Sequence, residues 1–204
     1  MIKVIEELSL NSWPSLQTML FDGWMLRFAN GYTKRSNSIS PIFSSSLNTD
    51  EKIQFCEKIY KRKGLDVIFK ITSSVYPENL DRILESKKYL YDAPTSVQIL
   101  QLDNIDLSST QPAVSSEILS NEWLSDFCRL VDAEGKHKQT LKKILNNIVP
   151  GKCFASIREQ EQGHMICSGL GVLQEKYFGL YNIVTAENSR NQGLGRQMTL
   201  NVLA

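Results

Sequence analysis

The most chemically suggestive spacing in the chain lies near its end. An apolar run, Tyr181-Asn182-Ile183-Val184-Thr185, passes through the polar residues Ala186-Glu187-Asn188-Ser189 into Arg190-Asn191-Gln192-Gly193-Leu194-Gly195-Arg196. The pattern predicts a buried strand, a short loop and a helix whose first turn carries two glycines. A helix start presents main-chain N–H groups without intrahelical partners, at the positive end of the helix dipole. Glycine lets a ligand approach that backbone closely. Arg190 and Arg196 add full positive charge. The combination makes an anion cradle suited to a phosphate or pyrophosphate. It is not a Walker A loop, because the lysine–serine/threonine pair is missing, and Gly-x-Gly-x-x-Gly is absent too. The spacing is equally met by a plain helix start in which Gly193 and Gly195 allow tight strand-to-helix packing.

The elements that would hold this loop are well patterned. Leu124, Phe127, Cys128 and Val131 fall at i, i+3, i+4 and i+7, and Leu141, Ile144, Leu145 and Ile148 repeat the spacing, so both segments predict amphipathic helices. Pro150-Gly151 stops the second. Cys153, Ala155 and Ile157 alternate as a strand does. Met165–Leu173 and Tyr177–Thr185 are near-continuous apolar runs that predict central strands. Leu194, Met198 and Val202 share one face of the last helix. The order helix, helix, strand, strand, strand, helix implies an α+β (mixed α/β) fold with a mostly antiparallel central sheet and flanking helices, and not a series of βαβ units.

The first half reads differently. Ser12-Trp13-Pro14 predicts a helix start, with the helix running to the turn signal Asp22-Gly23. Trp24–Phe28 predicts a strand, and the serine-rich, uncharged residues 36–49 predict loop. Ile53, Cys56, Ile59 and Tyr60 mark a helix closed by Lys63-Gly64. Val67, Phe69 and Ile71 alternate as a strand. Pro77-Glu78 opens another helix with Leu80, Ile83 and Leu84, and Val97 and Ile99 mark a short strand. Residues 103–120, including Ser108-Ser109-Thr110-Gln111-Pro112, are the weakest in pattern, which places a domain boundary there: 1–105 as one domain and 115–204 as the other.

Composition narrows the classes. In 204 residues, 42% are hydrophobic and 22% charged, an ordinary globular balance. The net charge of +1 argues against a general nucleic-acid binder or a polybasic membrane binder. No apolar run is long enough to span a bilayer, and Met1–Glu7 has no signal-like apolar core. Cys56, Cys128, Cys153 and Cys167 form no C-x-x-C pair, and His137 and His164 stand far apart. A disulfide scaffold or metal knuckle is not expected, and a reducing cytoplasm is.

Arg190-x-x-Gly193-x-Gly195, set between an apolar strand and an amphipathic helix, resembles motif A of the GNAT (GCN5-related) N-acetyltransferases. The resemblance extends over roughly residues 115–204. Gly23-Trp24-Met25-Leu26-Arg27-Phe28, Gly31-Tyr32-Thr33-Lys34-Arg35-Ser36-Asn37-Ser38 and Pro41 resemble a leader domain found before some bacterial GNAT domains.

The resemblance implies acetyl-CoA as acyl donor and no metal. The pyrophosphate would rest on the amides of Asn191, Gln192, Gly193, Leu194, Gly195 and Arg196, beside Arg190. The pantetheine arm would pair with the strand edge at Ile183, Val184 and Thr185. A main-chain N–H of that strand would polarise the thioester carbonyl. An amine would attack directly, so the cysteines need no catalytic role. A base must still take the amine proton. Glu187, Tyr181 and Glu175 are candidates without specific support, and each reads more readily as a solvated or structural residue, so the catalytic residue is left unassigned. His137 reads as a solvated helix residue and His164 as a turn residue. Arg35 and Asn37 would line a substrate pocket or, more plainly, be a surface arginine and a loop cap.

The sequence departs from the family pattern in one respect. The motif A helix ends it, whereas the family fold continues with a strand, a helix and two strands, roughly 40 residues at typical element lengths. That part holds the family's thiolate-protonating Tyr and a cofactor-contacting Asn, so neither is assigned. A fragment, a truncated product, or an N-terminal half that supplies the closing elements as a half-GNAT pseudo-repeat would each account for this. The reading is an N-acetyltransferase acting on a small-molecule or peptide amine. The competing reading is a non-catalytic acyl-CoA-binding or regulatory module, or an inactive homologue. Neither nucleic acid nor membrane is an expected partner, and a homodimer stays open.

Overall fold

A computed structural model describes residues 1–103, 107, 113–159 and 163–204. The chain divides into two compact units. One comprises Met1–Ile5 and Ser15–Ile105, the other Glu6–Pro14 and Asp106–Ala204. Much of the weakly patterned stretch, including 108–112, lies outside the described residues.

A first helix, α1 (Ile2–Ser12), opens the chain. It ends where the sequence suggested a helix would begin, and the segment read as its continuation is strand β1 (Gln17–Phe21), paired with β2 (Trp24–Phe28). The reason is the two-residue turn between them. Asp22 and Gly23 both take left-handed backbone angles (φ 41° and 81°), the Asp-Gly geometry whose twist matches a hairpin. Residues 36–49 are not all loop either. A 3₁₀ turn at Lys34–Ser36 leads into β3 (Ile39–Pro41), which completes the sheet order β1-β2-β3. The predicted strand around Val67–Ile71 reduces to a single parallel bridge of Phe69 to Ile39. Helix α2 (Thr49–Arg62) is capped by Asn48, whose side chain accepts from Asp50 and Glu51 N–H. Helix α3 is Leu80–Ser86. Trp24, Leu26, Ile39, Ile53, Cys56, Tyr60 and Leu80 form the core of this unit. Val97 and Ile99 lie in no strand, and both are exposed.

The second unit holds a separate sheet, in the order β4-β5-β6-β7. Its strands are β4 (Val114–Ser116), within the stretch read as linker, β5 (Gly151–Arg158), β6 (Met165–Gln174) and β7 (Tyr177–Thr185). All pairs are antiparallel. Helix α4 (Asn121–Leu130) starts at Ser120, whose side chain accepts the Trp123 N–H. Helix α5 (Lys136–Asn146) follows, and α6 (Leu194–Leu203) ends the chain. Alternation along β5 splits the packing between two faces. Phe154 meets Trp123 edge-on at 5.1 Å between ring centroids. Ala155 joins Cys167, Met198 and Val202 in the core beneath α6. Gly169 and Gly171 of β6 bring α6 close: a Cβ on Gly169 would fall 2.8 Å from Met198 Sδ.

Candidate functional site

Two features of the second unit converge at one end of its sheet. Strand β7 is the terminal strand of the sheet order, so its outer edge has no partner strand among the described residues. Past Thr185 the chain makes a 3₁₀ turn at Glu187–Ser189 and reaches α6 through Arg190–Gly193. Gly193 is the N-cap, in left-handed backbone (φ 78°), and offers no side-chain cap. The first α-helical bond of α6 runs from Gln197 N–H to Gly193 O at 3.0 Å. The N–H groups of Leu194, Gly195 and Arg196 therefore precede the helical ladder and aim out of the helix start.

Between strand end and helix start lies an open groove of about 420 Å³. It is lined by Ile183, Val184, Thr185, Ser189, Arg190, Asn191, Gly193, Leu194 and Gly195. A Cβ on Gly193 would meet nothing within 4 Å, and one on Gly195 only Thr185 Oγ1 at 3.9 Å. The two glycines thus leave open the space that side chains would fill at the helix start. They are not the close-packing glycines; that role belongs to Gly169 and Gly171. Arg190 folds back, its Nε donating to Thr185 O at 3.4 Å. This keeps a full positive charge at the groove beside the helix dipole.

The floor is tied to β6. Cys167 Sγ lies 3.4 Å from Thr185 Oγ1 and 3.8 Å from Leu194 O. Burial raises the Cys167 thiol pKa, against the opposing hydrogen bond to Thr185. Between Ser168 and Leu170 the β6–β7 register shifts, a bulge at Asn182 and Ile183.

Of the residues read as a cofactor loop, Ile183, Val184, Thr185, Arg190, Asn191, Gly193, Leu194 and Gly195 come together in the groove, while Gln192 and Arg196 are exposed and do not line it. Ser189 lines it too, and nothing in the sequence pattern singled it out. Glu187 is exposed on the 3₁₀ turn, its carbonyl accepting Arg190 N–H at 3.4 Å. Tyr181 pairs with Leu170 before the bulge, and its ring lies along Gly179. Neither is among the lining residues. Glu175 sits in the β6–β7 turn, at the far end of β7 and roughly 20 Å of strand from Ile183. His137 is on α5, and His164 O accepts Glu159 N–H in the turn before β6. In the first unit, Asn37 is a loop organiser. Its Oδ1 accepts Ala29 N–H (2.7 Å) and Gly31 N–H (3.1 Å), and its Nδ2 donates to Tyr32 O and Thr33 O. Arg35 contributes its carbonyl, which accepts from Arg27 Nη1 at 2.7 Å. Among the described residues no group of three or more His, Cys, Asp or Glu could hold a metal ion, and no helix is long and apolar enough to cross a membrane.

A strand edge and a bare helix start sharing one groove is an arrangement that known proteins can be compared with. The family model described as "Probable histone acetyltransferase Rv0428c C-terminal" matches residues 1–204. The chain belongs to that family of GNAT acetyltransferases. The "Uncharacterized N-acetyltransferase YobR" of Bacillus subtilis (strain 168) is 29% identical over 203 residues, covering 97% of this chain and 79% of that protein. A solved GCN5-related N-acetyltransferase from Kribbella flavida superposes with a TM-score of 0.55 at 10% identity, over 99% of this chain and 78% of its own. A conserved protein of unknown function from Staphylococcus epidermidis gives 0.51 at 11% identity, over 92% and 79%. At these identities the two structures support the fold, a mixed α+β GNAT architecture with antiparallel sheets. The family match makes the chain a GNAT acetyltransferase.

Proposed function

We propose that the chain transfers an acetyl group from acetyl-CoA to a primary amine of a small molecule or peptide. One observation carries the reading: the uncapped start of α6 and the open edge at Ile183–Thr185 line the same groove. The residues present fit the donor. The bare positions at Gly193 and Gly195 leave the helix-start amides approachable, and Arg190 supplies charge. These groups hold a diphosphate, as helix N-termini do. The edge of β7 holds an extended amide-bearing arm by strand addition. Bound acetyl-CoA supplies the activated acyl thioester. A β7 main-chain N–H is the preorganised donor for the charge that develops at its carbonyl.

The amine itself attacks, so no enzyme nucleophile is required. The state of the cysteines agrees: burial raises the thiol pKa values of Cys128, Cys153 and Cys167, and that of Cys56 to about 12, which keeps all four protonated at neutral pH. The second unit is the transferase domain and the first its leader.

Calorimetry with CoA and acetyl-CoA, followed by a thiol-release assay against a panel of amines, tests the reading. Saturable binding and amine-dependent thiol release are expected. Binding without turnover would favour a regulatory acyl-CoA module, and no heat with either ligand would overturn the proposal.

A further inference from the structure

We propose that Ser168 is a positioning residue that locks the register of the groove-facing edge of β7. The inference rests on the cofactor reading above but draws on a different observation. Leu170 pairs with Tyr181 and Ser168 with Val184, so one β6 residue, Gly169, faces two β7 residues, Asn182 and Ile183. Such a bulge interrupts the main-chain ladder and leaves backbone groups to be satisfied otherwise. Asn182 adopts a left-handed backbone there (φ 52°), a conformation that asparagine tolerates better than most residues.

The carbonyl at the bulge finds its partner in a side chain. Ser168 Oγ donates to Asn182 O at 2.9 Å, and Ser168 is fully buried. Asn182 does not anchor itself, since its Nδ2 is buried without a hydrogen-bond partner. Ile183 of the bulge and the two residues after it, Val184 and Thr185, line the groove. A slip of one residue in a strand sends every side chain and every edge N–H and C=O to the opposite side. Smoothing or sliding the bulge would therefore replace the groups that the groove presents. With the hydroxyl in place, that change breaks the Ser168–Asn182 bond and strands a buried hydroxyl.

Ser168→Ala and Ser168→Thr, each with two readouts, test the lock. The first is affinity for CoA and acetyl-CoA by calorimetry; the second is amide hydrogen exchange along β5, β6 and β7. Removing the hydroxyl is expected to weaken acetyl-CoA binding about tenfold. Exchange protection should fall at residues 183–185 and hold in β5. Threonine, which keeps the hydroxyl, should restore both. Wild-type affinity, or unchanged protection at 183–185, in Ser168→Ala would overturn the inference. If the wild-type chain binds neither ligand, the cofactor reading fails, and exchange at 183–185 alone decides the lock.

Discussion

Gly171 of β6 lies so close to α6 and to Phe178 of β7 that a methyl group on it would sit 2.4 Å from Phe178 Cζ and 2.6 Å from Val202 Cγ1. Close approach at this point seats α6 on the sheet and sets where its first turn meets the end of β7. The groove is thus built from the far side of the helix as well as from its start.

Gly171→Ala should consequently lower stability by about 1–3 kcal/mol, the usual cost of overpacking. Val202 is buried and its β-branched side chain has little freedom to swing aside. Urea unfolding measures the loss. A variant as stable as the wild type would mean that α6 shifts freely on the sheet.

Gly195 should behave in the opposite way. Its Cβ position is open apart from Thr185 Oγ1 at 3.9 Å, and it lies in the first turn of α6. Glycine within a helix costs up to about 1 kcal/mol relative to alanine. Gly195→Ala should therefore raise stability by about 0.5–1 kcal/mol, while Gly195→Leu, which pushes a branched chain into the groove, should weaken CoA binding at least tenfold at little cost to folding. Thermal unfolding and calorimetry on both variants check the pair. Undiminished CoA affinity in Gly195→Leu would move the diphosphate away from this helix start.

These contrasts explain what the sequence could disclose. Period-2 alternation in Cys153–Ile157 and long apolar runs in β6 and β7 are strong signals, because β6 is buried over most of its length, β5 is buried at Phe154–Ser156, and β7 is half-buried everywhere but Leu180. The glycine loop was legible because Gly193 and Gly195 follow a strand and open a helix. Strand β1 was not. Gln17–Leu20 are exposed, so no burial pattern marks them, and their pairing is dictated by the Asp22-Gly23 turn. Strand β3 was hidden by its composition: Ser36, Ser38 and Ser40 are buried, yet read as loop. The bulge left one faint trace, a lone asparagine in an apolar run.

Asn37 was read as a pocket residue or a loop cap, and the cap has a measurable consequence. Its side chain satisfies the N–H groups of Ala29 and Gly31, and the residue is buried. Asn37→Ala would leave both donors without a partner, at about 1–3 kcal/mol each. A total loss of about 2–4 kcal/mol is expected in urea unfolding. A loss below about 1 kcal/mol would show that other groups or water take over both bonds.

Asp22 gives the first unit a defined response to acid. Its carboxylate accepts N–H bonds from Leu47 (2.9 Å) and Ser46 (3.0 Å) and lies 3.1 Å from the Nζ of Lys52. Lys52 is fully buried, its ammonium 4.2 Å from the centroid of the Trp24 ring. The Leu47 and Ser46 amides, and then Lys52, hold the Asp22 pKa well below the ordinary carboxylate value. The folded chain thus binds this proton more weakly than the unfolded chain, whose aspartate titrates at about 4. The stabilisation is complete above about pH 4 and drains away as the pH falls below it. Asp22→Asn would preserve the left-handed turn but lack the charge, so this variant should be less stable than the wild type at pH 7. The gap should close steadily below about pH 4. Urea midpoints for both proteins from neutral to strongly acidic pH check this; parallel curves would show that Asp22 carries no differential proton affinity.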